Sequence, residues 1–233
     1  RKRENSLRFK TLRGSRCIVS GKGNVSQHVA EKLIQLGAVV EALSDTGGYV
    51  REPGGFTTEQ IAAVRELKAR GGALTEYKAL PCATPEAEHV PGRRVWELPC
   101  DLAFPSATEN EINGEDALQL VKGGCFGVFE GANMPSNEDA IKVFHEHGVL
   151  FGPSKAASAG GVTVSGLEMT QNFSFLRWRP SKVEKELKGI MKGIYHLVED
   201  TAAAWGAPGD LCLGANIASF LNIAEAMRAQ GAI

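Results

Sequence analysis

Cys17-Ile18-Val19-Ser20-Gly21-Lys22-Gly23-Asn24-Val25-Ser26 carries the chain from a short apolar run, through two glycines, into a segment where Val25, Val29, Leu33 and Leu36 recur at helical spacing. Strand, tight turn and amphipathic helix in that order decide the fold class. Gly37 closes the helix, and residues 39–43 form the next apolar run, which completes a βαβ unit. Beyond it, Gly47-Gly48 reads as a turn leading to Thr57-x-x-Gln60, a capping box that starts a helix carrying Ile61, Val64 and Leu67. Leu102-Ala103-Phe104, Phe126-Gly127-Val128-Phe129 and Val149-Leu150-Phe151 continue as short apolar runs, with helix-period segments at 115–121 and 136–145 between them. Short strands alternating with helices predict an α/β fold, a Rossmann-like, doubly wound and mostly parallel sheet. After Gly161 the strand signal ends, and a helical C-terminal tail is expected at 164–176, 181–204 and 217–227. Its middle helix opens on Pro180 and a second capping box, Ser181-x-x-Glu184.

Composition narrows the function. The 233 residues carry 26 Lys and Arg against 27 Asp and Glu, so there is no basic footprint for nucleic acid or anionic lipid, and a small-molecule partner is expected. The 27 glycines are roughly 12% of the chain against a usual level of about 7%, which suits tight βα turns and backbone close to a ligand. Five cysteines without a C-x-x-C pair point to a reducing, cytoplasmic compartment. No apolar run approaches the roughly 18 residues that span a bilayer, and no signal peptide is read at the start. The basic start, with Arg1, Lys2, Arg3, Arg8 and Lys10, reads as a solvated helix end or a cut point rather than an interaction arm.

Gly21-Lys22-Gly23 has the context that a dinucleotide turn requires. The first glycine makes the turn, the second lets backbone approach a pyrophosphate, and the helix N-terminus offers free N–H groups. Ser26 stands where a third small residue packs helix on strand. Asp45 follows Gly21 by 24 residues, where a carboxylate accepts from the adenosine ribose and favours NAD. Thr46 adds a hydroxyl, and Lys68 in the next helix could direct its charge to a 2′-phosphate, so spacing alone leaves NAD and NADP open. A carboxylate there tolerates a phosphate if it is protonated or offset by a cation.

Other chemistries fail on pattern. The turn is not G-x-x-x-x-G-K-[ST], no G-x-S-x-G occurs, and none of Tyr49, Tyr77 or Tyr195 has a lysine four residues on. His145 and His147 are two apart and do not share a helix face, so no metal pair is expected. Two further segments are unusual for mere connections: Phe129-Glu130-Gly131-Ala132-Asn133-Met134-Pro135, which leaves a strand at its carboxyl edge, and the small-residue run from Lys155 to Val162.

Together with Val19-Ser20-Gly21-Lys22-Gly23-Asn24-Val25, Leu43-Ser44-Asp45-Thr46-Gly47-Gly48, the segment from Ala103 to Glu111, Glu130-Gly131-Ala132-Asn133-Met134-Pro135, the segment from Ala159 to Met169, and Gly214-Ala215-Asn216-Ile217-Ala218, the chain resembles the hexameric glutamate dehydrogenases of the NADP-dependent type. The resemblance implies reductive amination of 2-oxoglutarate with ammonia to L-glutamate and its reverse, in a homohexamer, with no nucleic acid or membrane partner. It implies that Gly21, Gly23, Asn24 and Val25 hold the pyrophosphate, Asp45 and Thr46 the adenosine ribose side, and Ala107, Thr108 and Asn133 the nicotinamide half. Gly161, Val162 and Ser165 would line the glutamate site, and Lys68 would lie near the 2′-phosphate, which selects NADP over NAD. The family usually has other residues at Ser106, Glu109 and Ser158.

The same resemblance implies a division into a dinucleotide-binding domain, 1–213, and a C-terminal helix, 214–233, that packs back towards an N-terminal substrate domain. That domain carries the family's catalytic lysine and aspartate, so this chain is expected to be the cofactor-binding half and inactive alone. Two rival readings remain: a stand-alone nicotinamide-nucleotide-binding or regulatory module, and a relative of the leucine or phenylalanine dehydrogenases.

Overall fold

The computed structural model describes residues 11–231, so the basic start up to Lys10 lies outside the described residues. Two compact units divide the chain between Leu150 and Phe151. The division expected at 213/214 is one of role and follows a different line.

The first unit contains β1 (Arg16–Val19), α1 (Asn24–Gln35), β2 (Val39–Asp45), β3 (Gly48–Arg51), α2 (Thr58–Ala69), β4 (Glu88–Pro91), β5 (Leu102–Phe104), α3 (Gly114–Lys122), β6 (Gly127–Phe129) and α4 (Glu138–Glu146). With β7 (Leu150–Gly152), whose first residue closes this unit, the strands form one sheet in the order β4-β3-β2-β1-β5-β6-β7. Cys17 pairs in parallel with Val40 of β2 on one side and Leu102 of β5 on the other. Val19, Val40, Leu43 and Leu102 from the strands meet Ala30 and Leu33 of α1 and Ile61 and Val64 of α2 in one core. Each aliphatic side chain buried in this way contributes about 1.5–3 kcal/mol. The Thr57 capping box forms as expected, with the Gln60 N–H donating to Thr57 Oγ1 at 3.2 Å and the Thr57 N–H to Gln60 Oε1 at 2.7 Å.

One part of the sheet departs from the sequence reading. Gly47-Gly48 does not lead straight to a helix: Asp45 pairs with Gly48 across a two-residue turn, and β3 and β4 extend the sheet in antiparallel sense. Gly48-Tyr49-Val50-Arg51 is too short to display an alternation, and Pro91 is tolerated because β4 is an edge strand.

The second unit is helical: α5 (Ser154–Ala157), α6 (Ala159–Phe173), α7 (Pro180–Ala204) and α8 (Leu211–Gln230). Three boundaries differ from expectation. The glycines at 160 and 161 lie inside α6, which therefore starts five residues before 164. The box at Ser181 and Glu184 does not cap α7, because Pro180 occupies the first helical turn and Arg179 is the cap residue, without a side-chain bond. α8 starts well before 217, on Asp210, whose Oδ1 accepts from the Leu213 N–H at 2.9 Å. Gly214 lets α8 cross α7 closely, since a Cβ there would stand 2.1 Å from the Val198 carbonyl oxygen. No helix among the described residues is long and apolar enough to cross a membrane.

Candidate functional site

The chain runs from β1 to β2 on one side, then returns to place β5 on the other side of β1. The turns after β1 and β5 therefore diverge at a topological switch point, where open α/β sheets bind ligands at the carboxyl ends of their strands. A cleft of about 490 Å³ lies there, walled by Gly21, Lys22 and Gly23, by Ser44, Asp45 and Thr46, by Ser106, Ala107, Thr108 and Glu111, and by the 92–96 loop.

The two glycines have different physical reasons. Gly21 has φ +85°, and a Cβ on it would lie 2.5 Å from Ser26 Oγ and 3.1 Å from Ala107 Cβ. Gly21 is required by the fold. Gly23 is the cap residue of α1 with φ −79°, a conformation open to any residue, and the nearest side-chain atom to a Cβ there would be Lys68 Nζ at 3.6 Å. Nothing in the fold demands glycine at 23. What its missing side chain leaves open is a cradle between the first turn of α1 and the Lys68 ammonium, a place suited to an anion.

Below the cleft a buried network orders the second loop. The Ser106 N–H donates to Ser20 Oγ at 2.7 Å, and the Ser20 hydroxyl donates to Glu111 Oε1 at 2.8 Å, which also accepts from the Ala107 N–H at 3.1 Å. Burial raises the Glu111 pKa above the ordinary carboxylate value, against the lowering effect of these donors. Ser26 ties the two loops, its hydroxyl donating to the Ser106 carbonyl at 3.2 Å. The loop after β6 joins them through the Gly131 N–H, which donates to the Pro105 carbonyl at 2.8 Å.

At the other end, Asp45 is held by its own chain at three points. Its Oδ2 accepts from Lys22 Nζ at 2.8 Å and from the Leu74 N–H at 3.0 Å, and its Oδ1 accepts from the Gly47 N–H at 2.8 Å. Burial alone would push its pKa up, yet the Lys22 ammonium and the two backbone donors together hold it below the usual aspartate range. Of the two ways left open for offsetting this carboxylate, protonation or a cation, the neighbour the structure supplies is a cation, Lys22. Arg93 and Arg94 add positive charge to the cleft lining. Arg93 is paired with Glu97, and Arg94 with Asp116 at 3.2 Å and with the Glu111 carbonyl oxygen.

The cleft thus assembles Gly21, Gly23, Asp45, Thr46, Ala107 and Thr108 in its walls. Asn24 and Val25 open α1 beside it and are exposed. Lys68 approaches the glycine turn from α2. Asn133 is exposed on the loop between β6 and α4, outside those walls. Gly161, Val162 and Ser165 lie on α6 of the second unit, all exposed, with the Ser165 hydroxyl donating to the Gly161 carbonyl at 3.2 Å. Sequence reasoning assigned no role to Lys22, Arg93, Arg94 or Ser20. Lys22 stood in plain view as the variable residue of the glycine turn, whereas the two arginines come from a loop without any motif.

Comparison with known proteins identifies the family and the fold. Residues 2–231 match the model of the Glutamate/Leucine/Phenylalanine/Valine dehydrogenase family. An NADP-specific glutamate dehydrogenase of Chlorella sorokiniana is 48% identical over 237 residues, covering 99% of this chain and 44% of that protein. The crystal structure of Plasmodium falciparum glutamate dehydrogenase superposes with a TM-score of 0.91 at 42% identity, over 98% of this chain and 49% of the other. A hetero-hexameric glutamate dehydrogenase from Thermus thermophilus, in its Leu-bound form, reaches a TM-score of 0.81 at 25% identity over 100% of this chain and 51% of its own. The chain spans about half the length of the curated relatives it matches. A family match over nearly the whole chain, with relatives 48% and 42% identical along it, makes the chain a member of the Glutamate/Leucine/Phenylalanine/Valine dehydrogenase family.

Proposed function

We propose that the chain is the NADP-binding half of a glutamate dehydrogenase that reductively aminates 2-oxoglutarate with ammonia to L-glutamate and runs the reverse deamination. The observation that carries this reading is Gly23: glycine without a conformational need, facing the Lys68 ammonium across an open cradle at a helix N-terminus. Gly21, Gly23, Asn24 and Val25 hold the pyrophosphate by backbone. Asp45 and Thr46 face the adenosine ribose, Lys68 the 2′-phosphate, and Ala107, Thr108 and Asn133 the nicotinamide. When bound, the nicotinamide supplies or accepts the hydride; the protein's part on these residues is to bind and orient it. Gly161, Val162 and Ser165 line the glutamate site, and residues 214–233 return towards a substrate domain that holds the proton-transfer groups, so residues 1–213 act as the dinucleotide-binding domain.

The names of the relatives support NADP over NAD. Phe173, Phe175 and Phe220 are 81%, 95% and 64% exposed, which supports burial of this face against a further domain or in the homohexamer that the family resemblance implies. Odd cysteine number and the lack of C-x-x-C support a cytoplasmic setting.

Titration of NADPH fluorescence tests the reading. Gly23→Val keeps the fold, because its Cβ meets only the far end of a lysine, and abolishes nucleotide binding by filling the cradle. Unchanged affinity would reduce the turn to a structural feature. A steady-state assay with 2-oxoglutarate, ammonia and NADPH should show no turnover by the 233 residues alone, and clear turnover would sink the division of labour.

A further inference from the structure

We infer that Lys22 is a specificity-determining residue of the cleft, which takes Asp45 out of service as a ribose acceptor and presents an ammonium donor to a 2′-phosphorylated adenosine. The inference deepens the NADP reading above and rests on it.

In the usual arrangement a carboxylate at the end of the second strand does two things: it accepts from a free ribose 2′-OH, and it repels a phosphate on that oxygen. Asp45 stands at that place, in the cleft wall beside Thr46, but most of its acceptor capacity and its charge are already taken. Its two oxygens already accept from Lys22 Nζ, the Leu74 N–H and the Gly47 N–H, which uses three of about four lone-pair positions. The side chain of Asp45 is 9% exposed and that of Lys22 is 22% exposed, so the pair is shielded from the screening that weakens surface ion pairs.

Lys22 is held at two points, by Asp45 Oδ2 at 2.8 Å and by the Gly72 carbonyl oxygen at 2.9 Å. An ammonium has three donors, so one N–H remains. Lys22 is itself part of the wall of the cleft that Thr46 and Asp45 also line. The two arginines of the cleft pair elsewhere, Arg93 with Glu97, and Arg94 with Asp116 and the Glu111 carbonyl. Their guanidinium groups keep further N–H donors and add positive field, but neither is bonded to Asp45. Lys22 is consequently the wall residue that both cancels the repelling charge and offers a charge-assisted bond, and it does so from the position between the two glycines that the dinucleotide pattern leaves free.

The experiment measures binding of adenosine 2′,5′-bisphosphate and of 5′-AMP to the full chain by calorimetry, for wild type, Lys22→Met, Lys22→Arg and Asp45→Asn. The ratio of the two dissociation constants isolates the 2′-phosphate from the rest of the cofactor. Wild type should favour the bisphosphate. Lys22→Met should lower that ratio roughly tenfold to a hundredfold, the range for losing a hydrogen bond to a charged group. Lys22→Arg should keep the ratio within about threefold, because charge and donors remain. Asp45→Asn, which keeps the ammonium and removes the charge it offsets, should leave the ratio at or above that of wild type. An unchanged ratio in Lys22→Met, or a fall in Asp45→Asn, overturns the role of Lys22 while the NADP reading stands. A wild-type chain that favours AMP overturns the NADP reading itself, and the inference with it.

Discussion

Replacing Gly21 by alanine separates the structural glycine from the functional one. Gly21 sits at φ +85°, where an L-residue is strained by about 1–2 kcal/mol. The new methyl would also stand 2.5 Å from Ser26 Oγ, and Ser26 is completely buried, so its hydroxyl must swing away and abandon the Ser106 carbonyl. Loss of a buried hydrogen bond adds about 1 kcal/mol. The expected total is about 2–3 kcal/mol, which for a chain of this size lowers Tm by roughly 5–10 °C. The assay is a double-mutant cycle by thermal and urea unfolding, with Ser26→Ala as the second change. Without Oγ the clash with Ser26 disappears, while the tight approach to Ala107 Cβ and the backbone strain stay, so Gly21→Ala should be about 1 kcal/mol milder in that background. A penalty below about 0.5 kcal/mol in the wild-type background, or equal penalties in both, would refute the account of the turn.

Two carboxylates of the cleft should titrate with opposite signs. Asp45 has a folded pKa below its unfolded value of about 3.9, so its stabilisation is present above that value and lost as pH falls through the folded pKa; Asp45→Asn should therefore be more harmful at pH 7 than near pH 3 in urea unfolding. Glu111 has a folded pKa above its unfolded value of about 4.3, so its contribution is present below that value and lost as pH rises through the folded pKa; Glu111→Gln should gain on wild type as pH rises from about 4.3 through the folded pKa. Parallel pH curves for either variant and wild type would contradict the assignment. Thr57→Ala removes the side-chain half of the α2 cap and should cost about 1 kcal/mol in the same experiment, with no loss signifying that the helix start is held by packing alone.

Much of the first unit was legible because its signals are local. The apolar run at Leu102-Ala103-Phe104 coincides with β5, and the Thr57 box forms both of its bonds. The glycine turn could be read because a strand and an amphipathic helix flank it directly. What escaped is set by partners distant in sequence. The β3 and β4 arms are defined by pairing between residues such as Tyr49 and Val90, and neither arm is long enough to display a period of its own. The opening of α7 on Pro180 was legible, but its cap was not: a serine three residues before a glutamate has the form of a capping box, while Pro180 already starts the helix one residue earlier. Asp45 illustrates the limit most clearly. Its position after the second strand was plain, but its meaning depends on Lys22, 23 residues earlier, and on the Leu74 N–H, 29 residues later. Arg93 and Arg94 reach the cleft from an irregular loop that no pattern marks.

The central claim is that this cleft holds NADP, with Lys68 responding to the extra phosphate. Its most direct test is the pair of dissociation constants for NADPH and NADH, measured in one buffer for wild type and Lys68→Ala. Wild type should bind NADPH more tightly, and Lys68→Ala should weaken NADPH roughly tenfold to a hundredfold while changing NADH less than about twofold. Since Lys68 Nζ lies only 3.6 Å from where a Gly23 Cβ would be, a role at the pyrophosphate shared by both cofactors would instead weaken them equally. Equal losses, or a wild-type preference for NADH, would contradict the account.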